Sequence, residues 1–144
     1  LQVIADKLGE LSPEYALDFA FNADGFAEEI QEAHENLATR LKPHKGAKFY
    51  VFHSAFGYFA DTYGLEEKAI ETGGREPTAK ELTHLIDEAK TDNVRVILVQ
   101  PQFAKGAAKK IANAIGAKTE TVDPLSKDIL GTLNQLAEAI ENSQ

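Results

Sequence analysis

The first third of the chain carries an apolar stripe with helical spacing. Between residues 12 and 41, apolar side chains recur every three or four positions among charged ones, which is typical of an amphipathic helix with one apolar face. Ser12 followed by Pro13 predicts the helix start, and Pro43 predicts its end. Residues 1–9 have the same spacing and predict the end of a preceding helix. The stripe consists of Phe19, Ala23, Phe26, Ile30, Ala33, Leu37 and Leu41.

From Gly46 onward, short apolar runs alternate with helical patterns. This alternation predicts an α/β fold in which right-handed crossovers build a four-stranded parallel sheet flanked by helices, preceded by the long helix. Thr78 with Glu81 forms a capping box, and Gly64 and Gly116 stand where helices end. The strands are predicted at residues 48–52, 67–71, 94–99 and 118–122, and the helices at residues 55–63, 78–91, 104–115 and 126–141.

The amino-acid composition excludes several classes of function. The 144 residues are 43% hydrophobic and 26% charged, as in an ordinary single globular domain. The net charge of −8 and the dispersed lysines argue against a nucleic-acid partner, which requires a basic patch. No apolar run approaches the roughly 18–20 residues that span a bilayer. Because the chain has no cysteine, a thiol nucleophile and a Cys-ligated metal site are excluded, and a metal site would use histidines and carboxylates.

Polar residues follow the predicted strands, where an open parallel sheet forms its functional crevice. The first strand leads into His53 and the fourth into Asp123, while the second and third end at Glu71 and Gln100. An imidazole and a carboxylate at one sheet edge are ordinary ligands for zinc or a similar divalent ion. His53 and Asp123 are therefore the candidate metal ligands.

The residues alone leave other interpretations open. A histidine at a strand end is more often a hydrogen-bonded surface residue than a ligand, and an aspartate before proline commonly forms a turn. Two ligands also fall short of the three or four that a zinc site takes from protein. A small α/β nucleotide-binding or enzyme module is an alternative, although the chain contains no phosphate-binding loop, dinucleotide fingerprint or nucleophile elbow.

Four motifs in order carry a family resemblance: FHSAFGYFADTYGL, EPTAKELTHLIDEAK, VRVILVQPQF and VDPLS. Together they resemble the C-terminal lobe of periplasmic zinc-binding solute-binding proteins of metal ABC transporters, the ZnuA/TroA-like cluster, over essentially the whole chain. The resemblance implies that residues 1–45 are the end of one helix plus the long helix between the lobes, and that residues 46–144 are the C-terminal α/β lobe. It also implies that the N-terminal lobe and a signal segment lie outside this chain.

The resemblance further implies metal binding for uptake, not catalysis. By motif it assigns the metal ligands of this lobe to His53 and Asp123, with the remaining ligands supplied by the N-terminal lobe. A histidine at position 53, where manganese-type members have glutamate, favours Zn2+ over Mn2+. Ser54 and Gln100 depart from the Asp and Glu that are frequent in the family at these positions.

The partners implied are an ABC transporter permease and the N-terminal lobe of the same protein. The location implied is the periplasm, or a lipid-anchored position outside a Gram-positive cell. A manganese or iron carrier, or an adhesin-type lipoprotein of the same family, are the alternatives within the resemblance.

Overall fold

The computed structural model describes residues 1–71, 73–103 and 106–143. It confirms the predicted fold class, an α/β fold with a four-stranded parallel sheet and a long helix before it. The chain divides into two compact units, Leu1–Thr39 and Arg40–Gln144. In chain order the elements are α1 (Gln2–Leu11), α2 (Ala16–Leu41), β1 (Lys48–Val51), α3 (Gly57–Tyr63), β2 (Glu66–Ala69), α4 (Ala79–Thr91), β3 (Val96–Val99), α5 (Gly106–Ile115), β4 (Lys118–Thr121) and α6 (Ile129–Asn142).

The first unit consists of α1 and most of α2. The predicted uninterrupted helix from residue 12 is corrected at its start, because a 3-10 turn at Pro13–Tyr15 precedes α2. The Tyr15 amide donates to the Ser12 carbonyl at 3.0 Å, the i to i+3 bond of such a turn. Along α2 the predicted stripe is half-buried or buried except at Ile30, which is 36% exposed. No helix in the described ranges combines the length and apolar composition needed to cross a membrane.

The sheet of the second unit has the strand order β2-β1-β3-β4, with every neighbouring pair parallel. Tyr50 and Ile97 are register partners on the central strands, and they pack in one core cluster with residues of α4 and α5. Val51 and Leu98 are the next partners, so their side chains point to the opposite face, where α6 contacts β3. Helices therefore cover both faces, as predicted.

The predicted start and stop signals are confirmed around α3 and α4. The Glu81 amide donates to Thr78 Oγ1 at 3.4 Å, and Glu81 Oε2 accepts from the Thr78 amide at 2.7 Å. Arg75 and the Thr78 amide and hydroxyl lower the pKa of Glu81 to about 2. Gly64 ends α3 with a φ of 69°, a left-handed conformation that glycine adopts without strain. Residues 104 and 105 of the predicted fifth-helix segment lie outside the described residues.

The amino end of β1 is tied to the end of α4 by a polar cluster. Asp92 accepts from Lys48 Nζ and from Tyr50 Oη, each at 2.8 Å. Tyr50 is 1% exposed, so its hydroxyl depends on this bond. Burial raises the pKa of Asp92, but the hydrogen bonds from Lys48 and Tyr50 outweigh burial and leave that pKa below its usual value. Burial and the bond to Asp92 raise the pKa of Tyr50.

Replacing Asp92 with alanine is expected to lower the free energy of unfolding by about 1–3 kcal/mol at neutral pH, because the buried Tyr50 hydroxyl loses its acceptor. Folding lowers the pKa of Asp92 from its usual value of 3.8. The ionised carboxylate therefore makes its full contribution to the free energy of unfolding above pH 3.8, and this contribution is lost as the pH falls through the lower pKa of the folded state. Urea unfolding of wild type and variant should therefore show a stability difference that shrinks below about pH 4.

Tyr50→Phe serves as the control, because it removes the buried hydroxyl together with its need for an acceptor. A difference that does not change with pH would contradict this role for the carboxylate.

Candidate metal centre

The two candidate ligands lie at the same edge of the sheet, on strands that are not neighbours. His53 follows β1 and Asp123 follows β4, and β3 lies between these strands. With about 4.8 Å between neighbouring strands, the two strand ends stand roughly 10 Å apart. The sequence prediction that both residues follow parallel strands of one sheet is confirmed.

The His53 ring is held by two different contacts. Its Nδ1 is hydrogen-bonded to Glu71 Oε1. Its face stacks on Phe103, with ring centroids 4.3 Å apart and planes inclined by 27°. The His53 side chain is 38% exposed, whereas that of Glu71 is 8% exposed. The ring is thus fixed on its Nδ1 side by a buried carboxylate and on one face by Phe103.

The backbone of His53 is fixed by Gln100, at the end of β3. The Gln100 side-chain amide donates from Nε2 to the His53 carbonyl at 2.6 Å, and its Oε1 accepts from the His53 amide at 3.2 Å. Gln100 is 1% exposed. An amide carries both a donor and an acceptor, so one buried side chain satisfies both polar groups of the His53 backbone.

Glu67 on β2 holds the loop that follows His53. Its Oε1 accepts from the Ala55 amide at 3.0 Å and from the Phe56 amide at 2.9 Å. Its Oε2 accepts from Ser54 Oγ at 2.8 Å. These bonds order the turn between β1 and α3, so the residues after His53 have a defined path.

Asp123 is held by a turn and by one side chain. Its Oδ1 accepts from the Leu125 amide at 2.9 Å and from Gln102 Nε2 at 2.6 Å. The first bond is the aspartate turn that an Asp before Pro commonly makes, and the second links β4 to the loop after β3. The turn interpretation of Asp123 is therefore correct, and it orients the carboxylate at the sheet edge.

His53 and Asp123 offer one imidazole and one carboxylate, a donor set that suits zinc. Among residues 1–71, 73–103 and 106–143, no three His, Cys, Asp or Glu side chains form a group that could hold a metal ion. In the described part of the chain, the site therefore has fewer donors than a complete zinc centre requires.

Sequence reasoning placed Glu71 at the correct edge but did not connect it with His53. The missing information is the strand order: β2 lies beside β1, and the ladder continues beyond β2 through the Glu71 amide, which donates to the Phe52 carbonyl at 3.0 Å. The predicted β2 at residues 67–71 is corrected to Glu66–Ala69, although its ladder hydrogen bonds to the first strand continue as far as Glu71. The usual adjacency of consecutive strands was the available signal.

Comparison with known proteins gives consistent matches over the whole chain. The model of the family described as zinc-uptake complex component A, periplasmic (ZnuA), matches residues 1–143. The high-affinity zinc uptake system protein ZnuA of Brucella abortus is 30% identical over 128 residues, which is 88% of this chain and 38% of that protein. The chain thus spans about two fifths of the length of this curated relative.

Solved structures match the fold as well as the sequence. A crystal structure of ZnuA is 37% identical with a TM-score of 0.93, and the match covers 99% of this chain and 56% of that one. The laminin-binding protein Lmb of Streptococcus agalactiae, described as bifunctional with adhesin and metal-transporting activity, is 26% identical with a TM-score of 0.84, covering 95% of this chain and 58% of its own.

Proposed function

The chain belongs to the ZnuA family, the periplasmic component A of zinc-uptake complexes, and we therefore propose that it binds zinc for high-affinity uptake by an ABC transporter. The observation that carries the proposal is the placement of His53 and Asp123 at the carboxyl edge of one parallel sheet. In this proposal the chain is the C-terminal lobe of a two-lobe solute-binding protein, and its role is to hold and hand over an ion, not to catalyse a reaction.

His53 is proposed to bind zinc through a neutral ring nitrogen, and Asp123 through its carboxylate. Both residue types are established zinc donors, and a structural or transport site needs further donors to reach four. We propose that the N-terminal lobe supplies them, so that the ion lies where the two lobes meet. The permease of an ABC transporter is the proposed partner for release, and the periplasm or the outer side of a Gram-positive membrane is the proposed location.

Zinc is preferred over manganese in this proposal because of His53. Imidazole suits zinc, whereas manganese prefers carboxylate, carbonyl and water oxygens. A manganese or iron carrier is the second candidate, and the adhesin and metal-transporting activities of the S. agalactiae protein keep an adhesin-type member among the alternatives. A nucleotide-binding or enzyme module is the alternative from a different class.

Zinc titration of the 144-residue chain is the experiment that tests the proposed function. With two protein ligands, we expect weak binding of Zn2+, with a Kd of micromolar or above, and still weaker binding of Mn2+ in a calorimetric titration under the same conditions. Amide NMR shifts should move at the loops after β1 and β4 and stay unchanged elsewhere. Stabilisation by a nucleotide without any response to zinc would contradict the proposal and favour the enzyme alternative.

A further inference from the structure

We propose that Glu71 is a positioning residue that sets the tautomer of His53, keeping the proton on Nδ1 and presenting the Nε2 lone pair to zinc. This inference rests on the proposed role of His53 as a zinc ligand. It adds to that role a residue that touches no metal and decides which nitrogen of the ring is able to do so.

The backbone delivers Glu71 to the ring. Beyond the end of β2, the Ile70 amide donates to the Val51 carbonyl at 2.9 Å, and the Glu71 amide donates to the Phe52 carbonyl at 3.0 Å. These ladder bonds extend the pairing of β2 with β1 up to the residue before His53. Main-chain hydrogen bonds therefore hold Glu71 beside His53, and its backbone position does not depend on its side chain.

The chemistry of the contact fixes the tautomer. Glu71 Oε1 is hydrogen-bonded to His53 Nδ1, and an ionised carboxylate can only accept. The neutral ring must therefore carry its proton on Nδ1, and the Nε2 lone pair is left to bind a metal ion. In metal sites, a ligating histidine commonly donates its other N–H to a carboxylate, which fixes both the tautomer and the orientation of the ring.

Burial and packing make the contact selective. The Glu71 side chain is 8% exposed while that of His53 is 38% exposed, so the carboxylate lies on the protein side of the ring. Phe103 stacks on the ring face with centroids 4.3 Å apart, and Gln100 holds the His53 backbone through both its amide and its carbonyl. The stacking opposes rotation of the ring. The hydrogen bond to Glu71 opposes a flip of the ring that would put Nε2 in the place of Nδ1.

The first test measures the tautomer without any metal. Nitrogen-15 shifts of the His53 ring are recorded in the zinc-free chain at mildly alkaline pH. We expect the Nδ1–H form in wild type and a mixture of the two forms in Glu71→Gln, because the glutamine amide can either accept from Nδ1–H or donate to a bare Nδ1. Glu71→Leu fills a similar volume without an acceptor, and its ring should shift predominantly to the Nε2–H form.

A matched control keeps the interpretation specific. Glu66→Leu makes the same change at the start of β2, at a residue whose carboxylate pairs with Lys68 at 2.9 Å, and it should leave the His53 tautomer unchanged. Retention of the Nδ1–H form in Glu71→Leu, or a shift of equal size in Glu66→Leu, would overturn the proposal. A purely structural role for Glu71 would alter stability without moving the ring equilibrium.

The second test connects the tautomer to the metal and separates this inference from the proposed function. Loss of an outer partner of a metal-bound histidine typically weakens metal binding about 10- to 100-fold, so zinc titration of Glu71→Leu should show a loss in that range, with Glu71→Gln closer to wild type. Unchanged affinity in Glu71→Leu alongside weakened binding in His53→Ala would reject the role of Glu71 while keeping His53 as a ligand. Unchanged affinity in His53→Ala would instead reject His53 as a zinc ligand. The tautomer measurement does not depend on that outcome, because it is made without metal.

Discussion

Replacing His53 with alanine should weaken zinc binding by the chain at least 100-fold. Structural zinc sites with four ligands gain about 10–16 kcal/mol in total, which is roughly 3 kcal/mol for each ligand, and 1.4 kcal/mol corresponds to a factor of ten in affinity. Removal of the ring also leaves the buried Glu71 side chain without its hydrogen-bond partner, so the free energy of unfolding should fall by about 1–3 kcal/mol. Zinc titration followed by amide NMR and urea unfolding of the same samples measures both effects.

His84→Ala provides the matched control for this result. His84 lies on α4 with a side chain that is 81% exposed, 3.8 Å from Glu88 Oε2, and its removal should leave zinc affinity at the wild-type value. Asp123→Ala should weaken binding as well, although it also removes the acceptor for the Leu125 amide. Equal zinc affinity in wild type and His53→Ala would remove His53 from the site.

Replacing Gln100 with leucine should destabilise the chain by about 3 kcal/mol. Leucine occupies a similar volume but can neither donate to the His53 carbonyl nor accept from the His53 amide, and each buried polar group left unpaired costs about 1–3 kcal/mol. Both bonds now come from a side chain that is 1% exposed. Urea unfolding measures the loss, and His53 amide exchange should accelerate because the bond that protects it is gone.

Gln102→Leu is the comparison for this experiment. Gln102 stands two residues further along, is exposed, and donates to Asp123 at 2.6 Å. Its replacement should change the free energy of unfolding by less than about 0.5 kcal/mol, as expected for a surface position. If the two variants were equally stable, the buried amide of Gln100 would not be what holds the His53 backbone.

Hydrophobic patterning identified the two central strands, because β1 (KFYV) and β3 (VILV) are apolar runs. The edge strands β2 (EEKA) and β4 (KTET) are largely polar, and their prediction depended on the alternation of strands with helices along the chain. The run VRVILV predicts the fully buried β3, and the capping box at Thr78 locates the start of α4 to the residue. The start of α2 was less predictable, because Ser12 and Pro13 signal a helix start without distinguishing a 3-10 turn from an α-helical one.

The candidate site was predictable only as far as strand ends determine it. His53 and Asp123 could be selected because parallel strands end at one edge, but the partners of His53 depend on which strands are neighbours. Glu71 and Gln100 follow the two strands that flank β1, and a single sequence does not specify that order. The use of Gln100 as both donor and acceptor to one backbone residue also requires three-dimensional positions, since its residue type alone fits many roles.

The two ends of β1 carry separate tasks. Lys48, at its amino end, and Tyr50, within the strand, anchor β1 to Asp92, whereas His53 follows its carboxyl end. At about 3.3 Å per residue, Lys48 and His53 are roughly 16 Å apart, beyond the range at which substitutions usually influence one another. Substitutions of Lys48 are therefore expected to change the stability of the chain without changing the proposed binding of zinc at His53.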